Sequence, residues 1–257
     1  MQLLKTRLQN REILFGAWTS VPHPSVTEMF CSILKPDFVG IDIEHTTVGL
    51  ETVQQIITAG QSCGVAMFPR VASHNGEQIR RVLDAGADGV IVPQVHSRKD
   101  VDQIIQWMKY PPVGKRGFGV SRAQGYGGQF EKYIERWNNE AVFIPQIESI
   151  EGVENVDSIL DSEHVDGVMI GPYDISGSLG VPGKLNDPKV LNACQRVVEA
   201  CQRRKKSCGN QIVEPSPENL KSAIEQGYTF SILSSDLFLI WKWSEKMHEI
   251  MKQIRKI

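Results

Sequence analysis

The sequence predicts an α/β fold: eight strand–helix units closed into a TIM (β/α)8 barrel, with an additional C-terminal helix. Three observations predict it. Short apolar runs alternate with amphipathic stretches along the whole 257-residue chain, the order that builds a parallel sheet with helical crossovers. There are eight such runs, the number that closes a barrel. The stretch "GAWTSVPHPS" after the first run has no glycine-rich turn, which an open dinucleotide-binding sheet would carry there. Barrels of this length are commonly one domain, and residues 1–257 are read as one.

The runs, in order, are 13–19 (ILFGAWT), 38–44 (FVGIDIE), 65–71 (VAMFPRV), 89–95 (GVIVPQV), 142–148 (VFIPQIE), 166–173 (DGVMIGPY), 208–213 (CGNQIV) and 229–234 (TFSILS). Each is short and bounded by Gly, Pro or polar residues, as a strand buried on both faces should be. Between them, residues 50–62 put Val53, Ile56 and Ile57 on one helical face, and residues 76–85 do the same with Ile79, Val82 and Leu83. Residues 217–227 open on Pro217 and stop at Gly227, the expected punctuation of a helix. The last helix, about 236–257, carries Ile240, Trp243, Met247, Ile250, Ile254 and Ile257 at alternating spacings of three and four, widened by Phe238, Trp241 and Met251. Such a stripe covers either its own barrel or another subunit.

A formal charge of −2 provides no global attraction to nucleic acid. The local cluster Arg196, Arg203, Arg204, Lys205 and Lys206 reads as a solvated helix end, where cations suit the dipole. Five cysteines without a Cys-x-x-Cys pair read as free thiols of a reducing cytosol, with Cys194 and Cys201 buried on one helix face. "MQLLKTRLQNRE" lacks the apolar core of a leader, and no run is long enough to span a membrane. A cytoplasmic enzyme is the expectation.

Catalytic groups in such barrels sit where strands end. That rule selects Asp42, Glu44 and His45, then Arg70, Gln94, Gln146 with Glu148, Gly171 with Asp174, and Ser234, Ser235 and Asp236. Glu148 and Asp174 end neighbouring runs, and two hard carboxylates converging at one end of a sheet suit Mg²⁺ or Mn²⁺. Gln146 lies two residues before Glu148, so both face the same way. Gly171-Pro172 turns the chain, with Ser176 and Ser178 as caps for a short following helix. The glycine-rich stretch 116–128 lacks the Lys-Ser/Thr of a phosphate loop and reads as a mobile segment over the site. His74 and His96 have no partner at ligand spacing, and His164 and His248 read as surface residues. No run ends in lysine, which disfavours a Schiff-base aldolase.

The motifs "DFVGIDIEH", "FPRV", "LDAGADGVIVPQV", "KYPPVGKRGFG", "PQIES" and "GPYDISGSLG", in this order over roughly residues 13–245, resemble the HpcH/HpaI aldolase family. The resemblance implies a class II, metal-dependent aldolase that cleaves a 4-hydroxy-2-oxo acid to pyruvate and an aldehyde. It implies that Glu148 and Asp174 ligate a divalent cation (Mg²⁺, Mn²⁺ or Co²⁺) and that Arg70 contacts the oxygens of pyruvate or its enolate. His45 would transfer protons with Asp42 and Asp84 near it, and Gln146 would contact the substrate carboxylate or a water on the metal. Gly171, Pro172, Tyr173 and Gln211 would line the substrate. In the family Asp84 comes from a neighbouring subunit and the C-terminal helix swaps between subunits of a hexamer. Thr46-Thr47, Tyr173 and Gln211 depart from the family pattern around the aldehyde pocket. The partners expected are a small 2-oxo acid, an aldehyde and further copies of the chain. Oxaloacetate decarboxylation would pass through the same enolate and use the same residues. A non-catalytic metabolite-binding barrel would be expected to lack the ligands or Arg70, and all are present.

Overall fold

Residues 3–255 are described by a computed structural model. The elements in chain order are α1 (Leu4–Gln9), β1 (Leu14–Thr19), α2 (Pro24–Leu34), β2 (Phe38–Asp42), α3 (Leu50–Ser62), β3 (Ala66–Arg70), α4 (Gly76–Asp84), β4 (Gly89–Val92), α5 (Arg98–Met108) and α6 (Phe130–Glu140). They continue with β5 (Val142–Ile147), α7 (Ile150–Glu154), α8 (Val156–Leu160), β6 (Gly167–Ile170), α9 (Pro172–Ser178), α10 (Pro188–Arg204), β7 (Ser207–Ile212), α11 (Pro217–Gln226), β8 (Phe230–Ser235) and α12 (Asp236–Arg255). All eight predicted runs are parallel strands, and β8 pairs with β1 to close the barrel.

Alternation along each strand builds two cores. Outward residues meet the helices, where Val53, Ile56, Ile57, Ile79, Val82 and Leu83 are all buried. Inward residues fill the lumen: Leu14, Trp18, Phe38, Phe68, Ile91, Val142, Ile144, Met169, Phe230 and Ile232. Two glycines make room for the largest rings. A Cβ on Gly16 would sit 2.4 Å from the Phe38 ring, and one on Gly40 would sit 2.2 Å from Trp18. At the N-terminal end α1 closes the lumen with Leu8. Lys5 beside it bonds Asp166 at 2.5 Å.

Several expectations need correction. Strand β6 stops at Ile170, and Gly171 is already the N-cap of α9. Pro172 drives this, since its fixed φ and missing N–H suit a first helical turn. Asp174 therefore rides on the first turn of α9, and Ser176 and Ser178 lie inside that helix instead of capping it. The stretch 116–128 does not cover the C-terminal mouth. It is tied to the N-terminal end of the barrel, where Arg116 bonds Asp84, Ser121 bonds the Asp84 carbonyl and Arg122 bonds Gln61 and the Ala85 carbonyl. Cys201 is buried but Cys194 only half-buried, and all five thiols are free. In the basic cluster, Arg203 and Arg204 pair with Asp157 at the end of α10, whereas Lys206 turns inward onto the Ser162 and Val165 carbonyls.

Helix α12 leaves Ile240, Trp243, Met247, Ile250 and Ile254 exposed within the chain. Ile257 lies outside the described residues. No described helix is long and apolar enough to cross a membrane.

Candidate active site

The C-terminal ends of β2, β3 and β5 converge on one charged cluster. Asp42 and Arg70 are register partners on β2 and β3. The Arg70 guanidinium bonds both Asp42 oxygens, at 2.9 and 3.2 Å, and stacks 4.7 Å over the Trp18 ring. Asp42 also accepts from the backbone N–H groups of Glu44 and His45, each at 3.1 Å. One carboxylate thereby fixes both the arginine and the turn that presents His45. Thr46 closes that turn, donating its hydroxyl to the Asp42 carbonyl and accepting from the Val48 N–H. The His45 ring projects into solvent, and the carboxylate beside it is Glu44, with Nε2 to Oε2 at 3.6 Å. Glu44 also lies 3.4 Å from Arg70 Nε.

Glu148, one residue past β5, is only 5% exposed. Its Oε1 accepts from Gln146 Nε2 at 2.8 Å and its Oε2 from the Gln94 N–H at 2.9 Å. Gln94 achieves that aim from a left-handed backbone (φ 54°), uncommon for a residue other than glycine and a marker of functional turns. Gly171 lets the end of β6 approach: a Cβ there would stand 2.7 Å from Glu148 Cγ. Burial pushes the Glu148 carboxyl up to about 7, and the charges of Asp174 and Glu44 push the same way against the Gln94 N–H and Arg70. Burial likewise raises Glu44, opposed by Arg70 and His45 and helped by Asp42 and Asp174.

Asp42, Glu44, Glu148 and Asp174 thus gather around a single arginine. Three buried oxygens at strand ends, Glu44 Oε2, Gln146 Oε1 and Ser234 Oγ, have no hydrogen-bond partner. Surplus carboxylate charge with unmet oxygen acceptors is the donor chemistry a hard divalent cation satisfies. Among the described residues no group of three or more His, Cys, Asp or Glu side chains is arranged to hold a metal.

The remaining predicted residues divide clearly. Gln211 pairs in register with Ile232, so its side chain faces the lumen at the open mouth. Pro172 starts α9, and Tyr173 next to it is 64% exposed. Asp84 lies at the end of α4, at the opposite face of the same chain, held by Arg116 at 2.6 Å. Asp236 is structural, accepting from Thr19 Oγ1 and the Ser20 and Val21 N–H groups to tie β8 to β1. His74 and His96 bond the Pro93 carbonyl and Ser149 Oγ. The sequence selected Glu44 and Gln94 only as strand ends, without a specific role, and did not single out Trp18. Their signal was positional: Glu44, Gln94 and Trp18 each stand at or next to the last residue of a predicted run.

Cavity volume alone would mislead. A cleft of about 560 Å³ lies at the N-terminal end, lined by Leu4, Arg7, Asp88, Arg122 and Trp137 among others. None of the unpartnered polar atoms lines it.

Comparison with known proteins gives the family and the fold. The profile of the HpcH/HpaI aldolase/citrate lyase family matches residues 14–242. A 5-keto-4-deoxy-D-glucarate aldolase of Escherichia coli is 29% identical over 249 residues, covering 97% of this chain and 96% of that protein. The crystal structure of a family protein from Burkholderia cenocepacia superposes with a TM-score of 0.90 at 26% identity, covering 97% and 98% of the two chains. The citrate synthase SbnG superposes at 0.85 with 29% identity, covering 99% of each.

Proposed function

The chain belongs to the HpcH/HpaI aldolase/citrate lyase family, and we propose that it is a metal-dependent carbon–carbon lyase cleaving a 4-hydroxy-2-oxo acid reversibly to pyruvate and an aldehyde. The observation that carries this reading is the crowding of Glu44, Glu148 and Asp174 against one arginine, with Gln146 Oε1 and Glu44 Oε2 buried and accepting no hydrogen bond. Glu148 and Asp174 would hold Mg²⁺, Mn²⁺ or Co²⁺, which when bound supplies Lewis-acid stabilisation of the negative charge developing on the 2-oxo acid.

The chain's own residues do the rest. Arg70, locked by Asp42 and Trp18, offers positive charge to the forming enolate with little reorganisation. Gln146 turns its free Oε1 toward a donor on the substrate or its water. His45, exposed beside Glu44, takes the proton from the C4 hydroxyl. The C3–C4 bond breaks, its electron pair enters the C2–C3 enolate, and the aldehyde leaves. Protonation at C3 then yields pyruvate. Oxaloacetate decarboxylation ends on the same enolate and draws on the same groups.

Asp84 stands at the far end of its own barrel, so any part it takes in the reaction is played in the site of a second copy. The exposed stripe of α12 suits packing on such a copy. Pyruvate release from 4-hydroxy-2-oxo acids, followed with a coupled dehydrogenase, tests the reading. Release should stop on chelation and return with Mn²⁺ or Mg²⁺. Activity surviving exhaustive chelation contradicts it.

A further inference from the structure

The Glu148 carboxylate is held from two sides. Gln146 donates its side-chain amide to Oε1 at 2.8 Å. Oε2 accepts at 2.9 Å from the backbone N–H of Gln94. That N–H belongs to the peptide joining Pro93 to Gln94, just past the end of β4. The carbonyl of the same peptide bonds Nε2 of His74 at 2.8 Å. A carbonyl oxygen can only accept, so Nε2 carries the hydrogen of this bond. His74 is half-buried on the turn between β3 and α4, a few residues past Arg70. One peptide plane thus links a histidine outside the charged cluster to a carboxylate inside it.

That plane needs holding. Gln94 has φ 54°, a left-handed conformation that residues other than glycine seldom adopt. Turning the 93–94 peptide over would return Gln94 to the extended region and swing its N–H away from Glu148. The Val95 N–H ties the next peptide to the Gln146 carbonyl at 3.3 Å, which leaves the 93–94 plane free to turn. His74 opposes the turn, because it would break the bond to the Pro93 carbonyl. A donor on that carbonyl also polarises the peptide and strengthens the bond its N–H gives. Groups that orient a metal-ligating side chain are typically worth about 10–100-fold in metal affinity.

We propose that His74 is a positioning residue for Glu148, acting through the Pro93–Gln94 peptide. The role rests on the reading of Glu148 as a cation ligand. His74→Phe keeps a ring and removes the donor, whereas His74→Gln sets an amide N–H where Nε2 stands. In the cation-free protein the Gln94 amide should exchange with D2O about tenfold faster in His74→Phe than in the wild type, and His74→Gln should restore protection. Mn²⁺ should bind about tenfold more weakly to His74→Phe, again with recovery in His74→Gln. In the wild type itself, the imidazole ¹⁵N spectrum at pH 8 should show the His74 hydrogen on Nε2. That measurement needs no variant, and the Nδ1–H tautomer overturns the proposal even if His74→Phe does not fold. Gln94 exchange or Mn²⁺ affinity indifferent to the loss of the donor, or losses that His74→Gln does not recover, overturn it as well. Wild-type Mn²⁺ binding that His74→Phe leaves unchanged sinks the positioning role alone. Absence of Mn²⁺ binding by the wild type sinks the reading of Glu148 and the role with it.

Discussion

At the N-terminal end of the barrel, Asp166 accepts from Lys5 at 2.5 Å and from the Phe143 N–H at 3.0 Å. Lys109 and Lys206 there direct their ammonium groups onto the carbonyls of Asn138, Ala141, Ser162 and Val165. At the C-terminal end, Glu44, Gln146 and Ser234 each bury an oxygen that has no hydrogen-bond partner. One barrel carries both clusters at its two ends, one of lysines around a carboxylate and one of carboxylates around an arginine. An unmet buried polar atom costs about 1–3 kcal/mol. The fold tolerates that cost mainly where a ligand can relieve it, and Gln94 and Ser234 hold left-handed backbones at that same end. Polar satisfaction thus separates the end that stabilises from the end proposed to react. Arg116 is the exception: its Nε is unpartnered, but its guanidinium lies among the rings of Tyr110, Tyr133 and Trp137.

The sharpest way to break this contrast is to exchange a group at each end. Asp166→Ala leaves Lys5 and its neighbours uncompensated, and should lower unfolding free energy by about 3–5 kcal/mol in denaturant melts. Turnover per folded molecule should stay unchanged. Glu148→Gln should behave oppositely, lowering turnover ~10²-fold or more, about 2.7 kcal/mol in barrier. Its stability without cation at pH 8 should hold or rise, because a carboxyl pushed up to about 7 is destabilising when ionised. Arg70→Lys keeps the charge but loses the paired contacts to Asp42 and the stack on Trp18. It should cost about tenfold in kcat/KM, roughly 1.4 kcal/mol.

The smallest expected effect is a pH dependence. Burial lowers the Lys109 ammonium to about 7, helped by the Lys5 charge and opposed by Asp166. The folded value lies below the unfolded one, so this group's contribution is full above the unfolded value and lost as pH falls through about 7. Stability should therefore gain from Lys109 between pH 7 and 9. Lys109→Met should flatten that gain by about 1 kcal/mol, or ~2–4 °C in Tm. An unaltered pH slope would show that the buried lysine is not its source.

The strands were legible because burial on both faces writes itself as continuous apolar runs, and all eight appear in register. What failed was local. Asp174 reads as a strand end because "VMIGPYD" is apolar up to it, yet Pro172 starts a helix three residues after Met169. The glycines of 116–128 suggest mobility, but the arginines between them anchor the stretch to Asp84, Gln61 and Ala85 across distances no local pattern reveals. Glu44 was visible beside Asp42, but its proximity to both Arg70 and His45 depends on how Asp42 folds the turn. Local motifs reported which groups stand at strand ends, and tertiary pairing decided which of them remain unmet.

The central claim is that the unmet oxygens of the C-terminal mouth are built for a divalent cation. Mn²⁺ titration followed by electron paramagnetic resonance tests it most directly, on the wild type, Glu148→Gln and Asp166→Asn. One Mn²⁺ should bind per chain, about 10²-fold more weakly in Glu148→Gln and unchanged in folded Asp166→Asn. Equal binding by wild type and Glu148→Gln, or none by either, would contradict the account.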